Sequence, residues 1–409
     1  MNILILAPQW PDPPMQGAAI RNLQIVRYLA RKHTVSLLTF ESPSAQDSQQ
    51  LYDLASICRH AETLPVPSRT SRGRLLKLFT SAKPDMAWRL DSDAMSERVE
   101  ELCAEEQFDA IHVEGIEMAP YGLLALRLLP NARMIYDAHN AEYLLQRRAF
   151  TTDFKQFRRL PRAIYSFIQW NRLRRFERQL LHMSKWVFAV SPADVSALTS
   201  LYPLGKNRVL LLPNGVDLDY WAPNVIPPAD REVGSEALVF DGTMDFRPNV
   251  DAVLWFAKDV WPLIRAERPH VRFYIVGRTP APEVLALSED PGIIVTGMVD
   301  DTRPWVAGCE VYVVPMRMGG GVRLKVLQAM SMERAIVSTP MGAEGIAVRP
   351  GKDMLLTFSS KGFANAVLLL LSDHRRRRAL GVSARELVSS QYSWDSLLPT
   401  LDEAYPDGK

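Results

Sequence analysis

The chain has 409 residues, 47% of them hydrophobic and 23% charged, with a formal net charge of +2. That length accommodates two or three domains with full cores, and the near-neutral balance argues against a general nucleic-acid binder while leaving room for a local basic surface. Cys58, Cys103 and Cys309 lie far apart and outside any metal-ligand spacing, so a disulfide framework and a structural zinc are not expected, and a reducing compartment fits best.

In chain order, the first predicted element is a buried strand, Asn2 to Ala7. It lacks a basic leader and is too short for a signal peptide, and no run in the chain approaches a membrane span, so a cytoplasmic protein is expected. A loop rich in proline (Pro8, Pro11, Pro13, Pro14) leads to Gly17-Ala18-Ala19, which opens a helix through about Arg31. Further strands are predicted at Val35 to Phe40, Ala110 to Val113, Arg133 to Asp137 and Val187 to Val190. Between the last two, residues Arg147 to Arg178 carry ten cations against Asp153 and Glu177, interleaved with aromatics such as Phe150, Phe154, Phe167 and Trp170. Such a segment can rest on an anionic bilayer, on the inner face of a plasma membrane; it can equally be one or two ordinary helices with aromatics inward and arginines solvated. No nucleic-acid recognition motif accompanies the charge.

Leu211-Leu212-Pro213-Asn214-Gly215-Val216-Asp217 marks a join, followed by a stretch of little periodicity with Pro223, Pro227, Pro228 and Gly234. The second half then repeats the pattern, with strands predicted at Ala237 to Phe240, Val271 to Val276, Gly292 to Thr296, Val311 to Val314 and Ala335 to Ser338. A helix follows around Leu380 and Leu387, and a last one runs from Asp395 to about Ala404. Short β-branched runs alternating with longer amphipathic segments indicate an α/β chain with two doubly wound parallel sheets. The expected division is 1–212, 213–390 and a terminal helix in 391–409 packing back toward the first domain. Open parallel sheets bind ligands at strand carboxyl ends, which makes a central cleft between two such domains the expected site.

The most specific local signal is Gly319-Gly320-Gly321, set between the strand Val311 to Val314 and a helix-like run containing Val322, Val326, Leu327 and Met330. Glycines at a helix N-terminus present unpaired backbone N–H groups and the positive end of the dipole, a place for an anion. Arg323 and Lys325 add two cations that oppose that dipole by a few tenths of a kcal/mol each, so a bound anion accounts for them. A Gly-rich turn beside two solvated cations is the plainer alternative. His139, after the strand Arg133 to Asp137, falls at a strand carboxyl end, where chemistry or simple loop hydrogen bonding would both use it.

Taken together these residues resemble the large retaining glycosyltransferase family four, the group 1 glycosyltransferases of GT-B fold. The matches run through most of the chain: the Gly17 loop, Tyr136-Asp137-Ala138-His139-Asn140-Ala141-Glu142, Ala189-Val190-Ser191, Pro213-Asn214-Gly215-Val216-Asp217, Gly242, Ile275-Val276-Gly277, Thr296-Gly297-Met298-Val299 and the glycine segment through Gln328-Ala329-Met330. The resemblance implies two Rossmann-like domains facing a cleft, the second holding a nucleotide-diphosphate sugar and the first supplying the acceptor side and closing over the donor. It implies that Gly320, Gly321 and Val322 meet the diphosphate with their amides, that Arg247 is the basic diphosphate ligand, and that Gly277 and Val299 floor the base. His139 would hydrogen-bond the donor sugar in the transition state. Gly17 would approach the phosphate, Glu114 would line the acceptor pocket, and Asp137 and Glu142 would orient the histidine loop or touch acceptor. The acceptor would be a glycan or a lipid-linked molecule.

Two departures bear on function. The family's paired glutamates fall at Gly320 and Gln328, so both carboxylates are absent, and an amide at Gln328 implies donor binding weaker by roughly 1–2 kcal/mol. At the basic ligand this chain has Arg247-Pro248-Asn249 where the family offers an Arg and Lys pair, leaving Arg323 or Lys325 to compensate. Asp91-Ser92-Asp93 and Asp217-Leu218-Asp219 superficially match a metal-binding pair; the first lies in a polar stretch and the second follows the Asn-Gly turn, so no metal and no cofactor beyond the nucleotide sugar is expected. Positive charge would stabilise the departing diphosphate instead. Three readings stay open: a retaining, metal-independent glycosyltransferase; a GT-B sugar-nucleotide epimerase, for which no carboxylate constellation is found; and a noncatalytic nucleotide-sugar-binding or scaffold protein.

Overall fold

Strands covered on both faces read as unbroken aliphatic runs, and Ile3, Leu4, Ile5 and Leu6 are all fully buried. The structure, a computed structural model, describes residues 1–11, 17–41, 54–70, 78, 80–154, 160–227, 236–319 and 321–406. It divides into two compact units, Met1–Pro213 with Leu398–Lys409, and Asn214–Leu397. The first contains β1 (Asn2–Ala7), β2 (Thr34–Phe40), β3 (His60–Leu64), β4 (Ala110–Glu114), β5 (Arg133–Ala138), β6 (Trp186–Ala189) and β7 (Val209–Leu211). These form one sheet in the order β3-β2-β1-β4-β5-β6-β7, with every pair parallel.

The second unit repeats the design with β8 (Ala237–Asp241), β9 (Arg272–Val276), β10 (Ile293–Gly297), β11 (Val311–Val314), β12 (Ile336–Ser338) and β13 (Leu355–Leu356), in the order β10-β9-β8-β11-β12-β13. Its pairs are parallel too. In each unit the strand order reverses once, between β1 and β4 and between β8 and β11. Loops leaving the carboxyl ends at such a reversal diverge to opposite faces and open a crevice, which is where ligands of doubly wound sheets bind.

The strands absent from the sequence reading, β3, β7 and β13, are all edge strands. His-Ala-Glu-Thr-Leu in β3 is half-buried throughout, and β7 and β13 span three and two residues, so neither alternation nor a buried run announces them. The terminal segment also differs from expectation. Residues up to Leu397 belong to the second unit, where Trp394 packs against Gly215 and Val216 bridges to Ser393. The chain then rejoins the first unit as a tighter 3-10 turn, Leu398–Glu403, in place of a continuous helix to Ala404. Pro399 cannot donate the amide an uninterrupted α-helix requires there. Asp402 anchors the segment, accepting hydrogen bonds from Tyr28 (3.0 Å) and Lys32 (2.8 Å).

The basic aromatic stretch forms two helices, Glu142–Phe154 and Leu160–Met183, which pack on each other. Lys155, Arg158 and Arg159 lie outside the described residues. Among the others the outcome is mixed. Phe176 is buried, and Phe150 contacts Phe154, Phe167 and Trp170 at ring separations of 5.5, 5.4 and 6.1 Å. Yet Phe154, Ile164 and Phe167 are 62%, 55% and 47% exposed, beside solvent-exposed Arg147, Arg148 and Arg162.

Candidate functional site

At the reversal in the first unit, His112 and Glu114 are two apart on β4, and Glu114 stands directly across from Asp137 on β5, so all three side chains share one face of the sheet. All are fully buried. Burying three ionisable groups is tolerable only if each is paired. The helix Gly17–Ala30, which covers this face, supplies the partners from its inner side. Arg21, 1% exposed, meets Asp137 through two parallel hydrogen bonds of 2.8 Å, and its Nη1 donates to the carbonyls of Leu212 (2.8 Å) and Pro213 (3.2 Å). Glu114 accepts from His112 Nε2 at Oε1 (2.8 Å) and from His139 Nε2 at Oε2 (3.0 Å). Asn22, oriented to satisfy its amide, donates to Glu114 Oε2 at 2.9 Å. His112 Nδ1 in turn meets the hydroxyl of Tyr405, from the returning terminal segment.

Two sequence expectations change here. Glu114 has no exposed surface to line an acceptor pocket; its place is beneath His139, which it holds. Asp137 likewise is closed off by Arg21, so it fixes the loop and cannot touch an acceptor. Burial alone would raise the Glu114 carboxyl, but its pairing with His112 and His139, whose Nε2 atoms it meets, holds it well below the usual carboxylate range. For His139 burial favours the neutral ring; Glu114, with help from Asp137, outweighs it and moves the imidazolium upward from 6.5. The His139 side chain remains 25% exposed, so this buried assembly presents one reachable ring. His112, Glu114 and Asp137 also place ligand atoms within 4.8 Å of one another, a separation a metal could use. Every one of those groups already carries a hydrogen-bond partner, and a cation would have to displace Arg21 and His139.

The loop carrying His139 is clamped from behind. Glu177, buried on the helix Leu160–Met183, accepts from the backbone N–H groups of Glu142 (2.9 Å) and Tyr143 (2.7 Å), capping the helix Glu142–Phe154. Asp194 accepts from Ala141 N at 2.9 Å. Burial, with Glu142 and Asp194 nearby, pushes the Glu177 carboxyl up to about 8 despite its two amide donors. Glu142 is half-buried at the start of its helix and accepts from Asn140 (3.1 Å); burial raises it. Gly17 is the first residue of the helix that bears Arg21, and the loop before it lies outside the described residues.

In the second unit the glycine segment leaves β11 at the reversal point. Gly320 lies outside the described residues. The helix starts at Leu324, later than the apolar spacing suggested, so Val322 and Arg323 precede it and Arg323 occupies the N-cap position. The two cations are not the solvated pair of the plainer alternative. Arg323 folds over its own loop, Nη1 donating to the Gly321 carbonyl at 3.3 Å, and burial lowers its guanidinium. Lys325 reaches under the loop after β8: its Nζ donates to the Asp241 carbonyl and to Asn249 Oδ1 (3.2 Å) and lies 4.0 Å from the Phe240 ring centre. Burial, offset by Asp241 and reinforced by Arg323, brings that ammonium down to about 8. A lysine holding two loops together at the carboxyl edge is thus also a cation within the site.

Gly277 follows β9 with φ +149°, and a Cβ there would fall 1.7 Å from the Gly242 carbonyl oxygen, so only glycine allows the chain leaving β8 and β9 to meet. Arg247 is exposed in the first turn of the helix Arg247–Trp255, Val299 is half-buried beyond β10, and Gln328 is half-buried on the helix Leu324–Ser331. The Asp-x-Asp triplets have structural duties: Ser92 caps the helix Asp93–Glu105, and Asp217 accepts from the amides of Asp219 (3.1 Å) and Tyr220 (2.9 Å). Sequence reasoning missed Arg21, Asn22, His112 and Tyr405. The i, i+2 spacing of His112 and Glu114 within a predicted strand was a usable signal, since it places both on one face.

Against known proteins, the family described as Glycosyltransferase Family 4 matches residues 15–220, and that described as Glycosyl transferases group 1 matches residues 235–373. An uncharacterized 44.6 kDa protein in the cps region of Klebsiella pneumoniae is 20% identical over 408 residues, covering 96% of each chain. Among solved structures, Anabaena HepE in complex with UDP-glucose shares 14% identity with a TM-score of 0.64 over 99% of each chain. WaaG, a glycosyltransferase involved in lipopolysaccharide biosynthesis, shares 15% with a TM-score of 0.66 over 99% of this chain and all of its own, 100%. At those identities the structural likeness speaks for the fold, which is GT-B. Of the three readings left by the sequence, the family matches select the transferase.

Proposed function

The chain belongs to glycosyltransferase family 4 and is a glycosyltransferase, and we propose that it moves a sugar from a nucleotide-diphosphate donor to a hydroxyl of a glycan or lipid-linked acceptor, with retention and without a metal. The observation that carries this reading is the carboxyl edge at the β8/β11 reversal, where a glycine loop, Arg323 and Lys325 gather donors and positive charge. The amides of Gly320, Gly321 and Val322 take the diphosphate with these cations, Arg247 adds to them, and Gly277 and Val299 border the base. His139 hydrogen-bonds the sugar. The acceptor oxygen bonds to the anomeric carbon as its bond to the diphosphate breaks, and the acceptor proton passes to a phosphate oxygen of the departing nucleotide. Retention by this route asks for no protein base, and the two carboxylates beneath His139, Glu114 and Asp137, are both committed to partners. UDP-sugars are the first donors to try, since HepE binds UDP-glucose, and a surface glycan is the favoured product class given WaaG and the cps-region relative.

The decisive experiment is a panel of UDP-, GDP-, ADP- and dTDP-sugars incubated with the full chain, followed by thermal shift and by NMR of the released sugar. A donor that stabilises the protein and is slowly hydrolysed to the sugar of unchanged anomeric configuration supports the reading; initial release of the inverted anomer sinks retention, and no binding by any donor sinks the site assignment. Gln328→Glu should tighten the best donor about 5- to 30-fold by restoring a charge-assisted hydrogen bond to the ribose.

Peripheral attachment to an anionic membrane belongs to the same proposal. Among the described residues no helix is long and apolar enough to cross a bilayer, whereas Phe154, Ile164 and Phe167 form an exposed apolar tip rimmed by arginines. Flotation with vesicles containing phosphatidylglycerol should carry the protein, and Phe154→Ser with Phe167→Ser should release about 90% of it, the two rings supplying roughly 2–4 kcal/mol. Undiminished flotation of the double variant would dismiss the tip as the contact.

A further inference from the structure

The buried chain of side chains behind His139 ends in the returning C-terminal segment, far from the loop in sequence. Tyr405 is fully buried and its hydroxyl meets His112 Nδ1; His112 Nε2 meets Glu114 Oε1 at 2.8 Å; Glu114 Oε2 meets His139 Nε2 at 3.0 Å. We propose that Tyr405, His112 and Glu114 form a relay that fixes the proton of His139 on Nε2 and turns Nδ1 outward, making Tyr405 and His112 positioning residues for the sugar-contacting histidine. It rests on the assignment of His139 to the donor sugar.

Proton counting dictates the direction of every link. An ionised carboxylate only accepts, so both imidazoles must donate their Nε2–H to Glu114. A phenol buried with an imidazole as its partner satisfies its own hydrogen by donating, so His112 receives at Nδ1 from Tyr405. The relay thus runs O–H to Nδ1, Nε2–H to carboxylate, and carboxylate from Nε2–H, with no lone pair or proton opposed. Its outer end is the Nδ1 of His139. That atom faces Gly115, a residue with φ +73°, where even an added Cβ would stand 3.7 Å from Nδ1. The glycine therefore adds no side chain of its own on that side of Nδ1 while continuing β4 into the loop, and the nearest neighbour of the space it leaves is Glu117 Oε2, 3.2 Å from where its Cβ would stand.

The consequence for chemistry is that one ring atom serves in both protonation states. With Nε2–H committed, a protonated His139 donates from Nδ1 and a neutral one accepts there, so the hydrogen bond to the sugar changes sense with pH and never shifts to the other nitrogen. The charges that face the ring are Glu114 and Asp137 from the strands, Arg21 from the first helix, Glu142 from the helix that follows the loop, and Glu117, which pairs with Arg89 (3.3 Å) and lies beside Gly115. A second consequence is mechanical. Glu114 has two oxygens, and the one given to His112 sets the plane in which the other meets His139. Tyr405 pins that plane from a segment seated by the fully buried Leu401 and Ala404, with Asp402 tied to Tyr28 and Lys32 at its edge. Seating of the C-terminal segment is thereby a condition for a correctly turned His139.

Two measurements on the full chain test this. In nitrogen-15 spectra of histidine-labelled protein without substrate, the His139 signals, identified by their loss in His139→Asn, should show Nε2 protonated and Nδ1 titrating. Glu114→Gln should lower the titration midpoint by about one pH unit or more, since it removes the anion. A neutral ring protonated at Nδ1, or an unmoved midpoint, overturns the relay. Kinetically, Tyr405→Phe should reduce kcat about fivefold with donor KM within about twofold, as for one lost hydrogen bond, yet reduce it less than about 1.5-fold in a Glu114→Gln background, where the relay is already cut. Equal losses in both backgrounds would make Tyr405 an ordinary packing residue. Should the spectra show the expected proton while no donor is turned over, the assignment of His139 to a sugar falls and the relay stands.

Discussion

Arg21→Ala is expected to lower the unfolding temperature of the first unit by about 10 °C. Arg21 and Asp137 are 1% and 0% exposed, and the alanine variant would leave a carboxylate in the interior facing no cation. Removing one member of such a pair costs about 3–5 kcal/mol, because the survivor retains its desolvation cost without its attraction. The Leu212 and Pro213 carbonyls lose their donor in the same change, so the end of β7 loosens with the histidine loop. Replacing both partners at once is a different matter. Arg21→Met with Asp137→Leu leaves no stranded charge and should recover at least half of the loss, as buried pairs exchanged for apolar residues often do. Scanning calorimetry of the two variants checks this; a drop under about 3 °C for Arg21→Ala would show that water or a shifted backbone already solvates Asp137.

Why this pair was invisible in the sequence is instructive. The fold was legible because it depends on period and punctuation: Ile3 to Leu6 and Val311 to Val314 are unbroken aliphatic runs, and Gly242, Gly277 and the Pro213-Asn214-Gly215 turn mark where strands stop. Edge strands such as β3 escaped because one-sided pairing asks little of the side chains. Arg21 escaped for another reason. On a helix read by its hydrophobic stripe, an arginine between Ile20 and Asn22 belongs to the solvent, and only the position of Asp137, 116 residues later, places it inside. Long-range pairing of charges has no local signature.

The same distinction separates the glycine segment of the second unit from its cations. Glycine-rich loops are read locally, since the backbone geometry they permit is their function, and the segment after β11 was found that way. What Arg323 and Lys325 touch is tertiary: Lys325 reads as a cation in the first helical turn, accounted for by a bound anion, and nothing local announces that it also holds the Asp241 carbonyl from beneath. Its role as a tie between loops and its role as a charge for a diphosphate are compatible. An ammonium lowered to about 8 by burial gains from an arriving anion what it lost in desolvation.

His139→Ala is expected to lower kcat by about 10²–10³ while changing donor affinity less than about threefold, the pattern of a group whose hydrogen bond strengthens as charge develops. The ring is the one member of its buried cluster that is reachable, and everything behind it serves to hold it: Glu114 on Nε2, Glu177 and Asp194 on the amides of the loop. The pH dependence follows from the sign of its shift. Because the folded state raises the imidazolium above 6.5, its contribution to stability is fully present below 6.5 and fades as pH rises through the folded value. If the protonated ring is the form that assists the departing diphosphate, kcat should fall over that same interval, and Glu114→Gln should move the fall to lower pH. A rate that is flat from pH 6 to 9 in the native enzyme, with His139→Ala nonetheless inactive, would assign the work to the neutral ring accepting a sugar hydroxyl at Nδ1. A His139→Ala variant of native activity would remove the histidine from the chemistry, leaving its acidic scaffold as architecture for the loop alone.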